Sequence, residues 1–298
     1  MAVAVKRKRG RPSNDEIEAR LIQRLVDSGR LLPEEPVIDK TDDELLDDIK
    51  ERFRVMEILV DGAILGNIRS MMIAGASGIG KTFTLQKKLH DANTFKDTRY
   101  EIVSGGISAI GLYKLGYKMR DANRVIVLDD SDDIYSEDAT LSILKVMCDS
   151  SKYRTVHWLK ESAALKDGDE TIPTSYEFNG SIIFVTNQNI QQMILDDRNK
   201  FVPHLKALVS RSLYLDLLIH NRHQLGVWIN HIAHTAGLFD EFDFTKAECD
   251  RILKFVNDHR ERVWSLDLRT VVNACEIYKT DPGNFEMIAR NTILQGAN

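Results

Sequence analysis

One stretch of twelve residues limits what this chain can fold into more than any other: Met71 to Thr82, MMIAGASGIGKT. It fits G-x-x-x-x-G-K-[ST] with Gly75, Gly80, Lys81 and Thr82 in register behind an apolar run. This is a P-loop, a turn that needs a strand before it and a helix after it. Its glycines let backbone N–H groups turn inward on the α- and β-phosphates, its lysine reaches the β/γ-phosphates, and its hydroxyl takes a place on Mg²⁺. The helix then begins on the phosphates with its positive end toward them. Gly75, Ala76, Ser77, Gly78, Ile79, Gly80, Lys81, Thr82 and Phe83 are therefore the expected cradle for ATP.

Strand-like and helical segments alternate downstream. A helix from about Thr82 to His90 precedes a strand at Tyr100 to Ser104, a Gly105-Gly106 turn, and a helix carrying Leu112, Tyr113, Leu115 and Tyr117. The next strand, Arg124 to Leu128, is almost wholly apolar, as a strand buried on both faces should be. Alternation of this kind predicts a parallel, doubly wound α/β sheet with its ligand at the C-terminal strand ends. Upstream, Thr41 and Glu44 make a capping box at which the α/β domain should begin, and Leu45, Ile49, Phe53, Met56 and Val60 keep helical spacing from there to Gly62.

The strand VIVLDD places four apolar residues before Asp129 and Asp130, the Walker B form. Asp129 is positioned to hold Mg²⁺ through a water, and Asp130 to orient and deprotonate an attacking water. Glu is commoner at the second position. Asp is one methylene shorter and reaches less far, so Asp132 or Asp133 stays open as an alternative base.

A further apolar strand, Ile182 to Val185, ends in Thr186-Asn187. With the Walker pair, this resembles sensor 1 of the AAA+ ATPases, which implies that Asn187 hydrogen-bonds the γ-phosphate or the lytic water. The resemblance continues in that family's order. ALVSRSLYLDLL puts Arg211 where AAA+ proteins such as clamp loaders carry the arginine finger that acts on a neighbouring subunit's ATP, with Arg198 and Arg222 as other candidates. From Asn221 the pattern is helical, over about 221–236, 245–260, 267–278 and 283–293, similar to the AAA+ lid. Arg269 in WSLDLRTVVNA is similar to sensor 2, a lid residue that contacts the γ-phosphate. The resemblance covers about residues 45–298 and points in particular to AAA+ ATPases encoded by tailed bacteriophages. It implies a P-loop core over 41–219, a small all-α lid over 220–298, Mg-dependent hydrolysis of ATP, and a homo-oligomeric ring or filament.

Charge separates the N-terminal region, residues 1–40, from the rest. Lys6, Arg7, Lys8, Arg9 and Arg11 are five positive charges with no acid among the first twelve residues; without them the net −5 of the chain becomes −10. Arg9-Gly10-Arg11-Pro12 resembles the core of an AT-hook, whose arginines enter the narrow minor groove of A·T-rich DNA. A disordered solubilising tail is the alternative. Ser13 and Glu16 cap a short apolar-striped helix up to Gly29, and residues 33–48, with eight carboxylates and one lysine, read as an acidic linker.

About fifty residues separate Walker B from Asn187, more than a helix and its loop require. After a helix from Thr140 to Ser150, KYRTVHWLKES and TSYEFNG suggest two short strands around a polar turn. A hairpin here resembles the pre-sensor-1 insertion of superfamily 3 helicases, which implies DNA contact through Lys152, Arg154, His157, Trp158 and Lys160. A packing hairpin with a core tryptophan is the equal alternative.

The expected partners are therefore a second copy of the chain, DNA, and a replication or recombination protein. The leading reading is an ATPase that remodels, translocates on or loads factors onto DNA; the other is an ATP-controlled switch directed at proteins. No segment has the apolar length of a membrane span, and Cys148, Cys249 and Cys275 form no C-x-x-C pair, so a cytoplasmic setting is expected, the host's if the chain is phage-encoded. His220, His223, His231 and His234 lack an acidic or Cys partner in pattern and read as lid residues, not metal ligands.

Overall fold

The computed structural model describes residues 40–295 apart from 97–98, 132–133, 135–136, 160–164, 168–169, 196–201, 218 and 220. The tail with Arg9, Gly10 and Arg11, the Ser13 capping box, Asp132, Asp133, Lys160, Arg198 and His220 lie outside the described residues.

Helix α1 spans Asp42–Ile64 and opens with Asp42, Asp43 and Glu44 in its first turn, where negative charge meets the helix's positive end. The last part of the acidic run read as a linker is thus helix. The stripe Ile49, Phe53, Met56 and Val60 is buried, as its spacing predicts.

Strand β1 (Ser70–Ala74) leads through the P-loop into α2 (Lys81–Lys96), followed by β2 (Arg99–Ser104), α3 (Ala109–Lys118), β3 (Arg124–Asp129) and α4 (Asp138–Met147). After the insertion come β8 (Ser181–Thr186), α5 (Ile190–Leu195), α6 (Val202–Val209) and β9 (Leu213–Asp216). The sheet order is β2-β3-β8-β1-β9, with every pair parallel. β8 therefore lies between the P-loop strand and the Walker B strand. That order brings the ends of β1, β3 and β8 together at one rim of the sheet.

Alternate residues of each central strand feed opposite cores. Met72, Ile126, Leu128, Ile182 and Phe184 pack with α3 and α4 residues such as Leu112, Tyr113, Leu141 and Leu144. Met71, Ile73, Val125, Val127, Ile183 and Val185 pack with Phe53, Met56 and Val60 of α1 and Leu85 and Leu89 of α2.

Four further helices, α7 (Arg222–Thr235), α8 (Lys246–Asp258), α9 (Leu268–Thr280) and α10 (Phe285–Thr292), make the lid around a core of its own that includes Ile252, Val256, Val271, Cys275 and Phe285. Their starts are capped. Asn221 with Gln224 and Thr245 with Glu248 form capping boxes, and the Asp267 carboxylate accepts from Thr270 N–H at 2.8 Å. Among the described residues, no helix is long and apolar enough to cross a membrane.

The insertion contains β4 (Thr155–His157) paired antiparallel with β7 (Ser175–Glu177), and β5 (Lys166–Asp167) paired with β6 (Glu170–Thr171). Its packing corrects one expected DNA contact, Arg154, and turns a second, Trp158, partly inward. Arg154 is only 5% exposed; its Nη1 donates to Met147 O at 2.6 Å and its Nη2 to Gly180 O at 3.0 Å, with the guanidinium 5.1 Å from the centre of the Phe178 ring. A cation here satisfies a carbonyl at the end of α4 that the helix itself leaves unpaired. Trp158 packs against Tyr113 of α3 with ring centroids 5.6 Å apart, and the Tyr176 hydroxyl donates to Tyr113 O. The hairpin leans on α3 because Val156, Leu165, Ile172 and Tyr176 all need burial there. Lys152 and His157 stay exposed.

Candidate functional site: a nucleotide cleft under a helical lid

The P-loop leaves β1 at the sheet rim and turns through Gly78 and Gly80, whose φ of 67° and 98° lie in the left-handed region that glycine tolerates. A side chain at Gly78 would meet more than strain: its Cβ would stand 2.5 Å from that of Asp267 in the lid. The loop is thus shaped for phosphates on one side and for the lid on the other.

Lys81 is 5% exposed, and its ammonium donates to Gly75 O (2.8 Å), Ala76 O (2.7 Å) and Asn187 Oδ1 (2.7 Å). Burial pushes its pKa down from 10.5 to about 8, although Asp130 and Asp129 pull it up. Asp129, at the end of β3, is 7% exposed, and both its oxygens lie 3.1 Å from the Thr82 hydroxyl. Burial raises the Asp129 carboxyl pKa, and the Thr82 hydrogen bond opposes that shift. Asp130 follows with φ 48°, its N–H bonded to Val185 O at 3.0 Å and its Oδ1 accepting from Asn187 Nδ2 at 2.7 Å. Asn187, just past β8, therefore bridges Lys81 and Asp130 through the two ends of one amide.

The left-handed backbone gives a physical reason for the short acid. Asp is among the few non-glycine residues enriched in that region, and Glu is not.

The lid touches three consecutive loop residues. Arg269 Nη1 donates to Ser77 Oγ at 3.2 Å, Leu268 N–H to Gly78 O at 3.0 Å, and Trp228 Nε1 to Ile79 O at 2.9 Å. The Trp228 ring also stacks on Phe53 of α1, centroids 4.4 Å apart and 21° from parallel. Together these groups enclose a cleft of about 950 Å³, with Lys81, Asp130, Asn187 and Arg269 on its wall and the 64% exposed Phe83 beside them.

The structure does not bring Arg211 to this cleft. It precedes β9, at the end of the sheet opposite the P-loop, where its Nε donates to Asp149 Oδ2 at 3.2 Å. Arg222 donates to the carbonyls of Arg260 and Val263 within the lid. His223 Nε2 lies 2.8 Å from Asp42 Oδ1, and no three His, Cys, Asp or Glu among the described residues could hold a metal. The lid's grip on the loop through Trp228 and Leu268 goes beyond the contacts expected from the sequence. Asp267-x-x-Thr270 was the legible signal, since it is the N-cap pattern that aims this helix at the P-loop.

A cradle of left-handed glycines, a buried lysine and the Thr82–Asp129 oxygen set fit a nucleoside triphosphate with Mg²⁺. The sheet order, the P-loop, the paired carboxylates, the asparagine past β8 and the four-helix lid define the class: this is an AAA+ fold. No family model matches the chain. It is 36% identical over 241 residues to an uncharacterized 36.7 kDa protein from the nrdC-mobD intergenic region of Enterobacteria phage T4, a match covering 81% of this chain and 73% of that protein. The chain belongs to the family of that phage protein. Among solved structures, AMPPCP-bound DnaA from Aquifex aeolicus is similar with a TM-score of 0.46 and 15% identity over 81% of this chain and 65% of its own. ATP-bound NtrX from Brucella abortus is similar at 0.47 and 13% over 95% and 61%, so this chain spans just under two thirds of either structure. These likenesses are distant, and the class rests on the site and strand order above.

Proposed function

We propose that this protein binds MgATP in the cleft beneath its lid and hydrolyses it as part of a homo-oligomer. The observation that carries the reading is the single hydrogen-bonded chain from Lys81 through Asn187 to Asp130, which links the phosphate-binding lysine to the carboxylate expected to act on water. Lys81 and the loop amides bind the triphosphate. Asp130 accepts a proton from the attacking water, and Asn187 orients both the carboxylate and that water. Thr82 and Asp129 would hold Mg²⁺, which when bound offsets phosphate charge. Arg269, already against the loop at Ser77, adds positive charge from the lid. Arg211, remote from its own cleft, is suited to serve the nucleotide of a neighbouring copy.

Lys81→Ala is expected to abolish tight ATP binding, measured by titration calorimetry. Asp130→Asn should keep binding and stop phosphate release, because Asn fits the left-handed backbone and accepts the same hydrogen bond. Phosphate release at the wild-type rate from Asp130→Asn would move the base elsewhere.

We also propose DNA as the object of the work, in a host cytoplasm, on the strength of the basic tail with Arg9, Gly10 and Arg11 and the exposed Lys152 and His157. Removing residues 1–12 takes away five cations, which should flatten the log–log salt dependence of DNA binding by up to about 4. An unchanged slope would remove the tail from the interface. The burial of Arg154 and the packing of Trp158 on Tyr113 favour a second reading, an ATP-controlled switch directed at a replication or recombination protein, in which the hairpin is scaffold. DNA that neither raises turnover nor retains the protein at low salt would select it.

A further inference from the structure

Arg211 sits between α6 and β9 with two partners. Its Nη1 donates to Ala207 O, one turn back on α6, at 2.9 Å, and its Nε donates to the Asp149 carboxylate at 3.2 Å. The first bond keeps the side chain against its own helix. The second sets the direction in which the guanidinium points, and leaves Nη2 outside both bonds.

Asp149 is in turn a fixed object. Its Oδ1 accepts from Ser151 N–H at 2.9 Å, and that bond, with Arg211, holds its pKa below the usual carboxylate value. The backbone around it is pinned by two other arginines: Arg69 Nη1 donates to Asp149 O (3.3 Å) and Ser151 O (2.8 Å), and Arg154 Nη1 donates to Met147 O. Residues 147–151 run from the last residue of α4 into the segment after it, where a helix leaves carbonyls unpaired. Three arginines converge there with different tasks. Arg69 and Arg154 bond to carbonyl oxygens, whereas Arg211 bonds to the carboxylate and keeps a side chain one third exposed. The segment also follows α4, the helix next in the chain after the Walker B strand.

We propose that Asp149 is the positioning residue for Arg211, holding it in the orientation in which a neighbouring copy's triphosphate can meet it; this rests on the assignment of Arg211 to a neighbour's nucleotide. An untethered arginine samples many rotamers, few of which would reach a phosphate, and fixing it beforehand removes that loss from the reaction.

The test uses the full chain with Asp149→Ala, Arg211→Ala, the double variant, and each single variant mixed with Asp130→Asn. Asp149→Ala is expected to lower kcat about 10- to 100-fold while leaving KM for ATP nearly unchanged, because the group acts in hydrolysis and not in binding. The double variant should be no slower than Arg211→Ala alone. Mixing Asp149→Ala with Asp130→Asn should recover activity above the sum of the two, since the intact clefts of one then face the well-aimed Arg211 of the other. Asp149→Asn, which keeps the acceptor oxygen, should lose less than Asp149→Ala. Wild-type turnover in Arg211→Ala would defeat the underlying assignment of Arg211. Defective Arg211→Ala with Asp149→Ala at wild-type speed, faster than wild type, or not restored by mixing when Arg211→Ala is restored, would overturn the role of Asp149 alone.

Discussion

The pKa of Lys81 offers a direct quantitative test. Burial holds it at about 8 in the ligand-free chain, and a triphosphate placed on the ammonium must raise it strongly. If only the charged form binds, the lysine is roughly nine tenths competent at pH 7 and roughly one tenth at pH 9. ATP affinity should therefore fall about tenfold between these values, close to 1.4 kcal/mol, with almost no change below pH 7. Titration calorimetry in two buffers of different ionisation enthalpy should find proton uptake near zero at pH 7 and approaching one proton per ATP at pH 9. The same shift has a stability consequence of determined sign. Between about 8 and 10.5 the unfolded chain holds the lysine proton more firmly than the folded one, so stability rises with pH there. Relative to Lys81→Met, the ligand-free wild type should gain up to about 3 kcal/mol across that window, read by urea unfolding. Flat affinity from pH 7 to 9 without proton uptake would refute the buried-ammonium account of the loop.

Other expectations follow from the packing. Trp228→Phe keeps the stack on Phe53 but strands the carbonyl of Ile79, so the lid's hold on the loop should weaken by about 1–3 kcal/mol, seen as faster amide exchange in the P-loop. Unchanged exchange there would mean that the bond contributes nothing to lid position. Arg154→Ala should lower stability by about 2–4 kcal/mol, because it leaves Met147 O and Gly180 O without their buried donor, while DNA retention stays at the wild-type level. Lost retention in a variant that still folds would return Arg154 to the interface.

Much of the fold was legible because the signals are local. Apolar runs at Arg124 to Leu128 and Ile182 to Val185 gave the central strands, and the glycine spacing gave the loop between β1 and α2. Their assembly was less so: the β2-β3-β8-β1-β9 order seats β8 between β1 and β3, and so puts Asn187 between Lys81 and Asp130. The hairpin misled for a physical reason. Arg154 and Trp158 have the chemistry of a nucleic-acid contact, yet which face they take depends on the apolar residues beside them. Val156 and Tyr176 turn that face onto α3. Sequence spacing also gave no hint of Asp149, because its partner Arg211 is 62 residues away and meets it only through the packing of α4 on α6.

In the proposed mechanism each ATP is split between two copies of the chain. The most direct measurement is turnover per chain as protein concentration rises through the assembly range, for wild type and Arg211→Ala side by side. Wild-type turnover is expected to climb with assembly while Arg211→Ala stays low even when assembled, by a factor of about 10³ or more. Turnover that is independent of concentration, and equal in the two proteins, would contradict it.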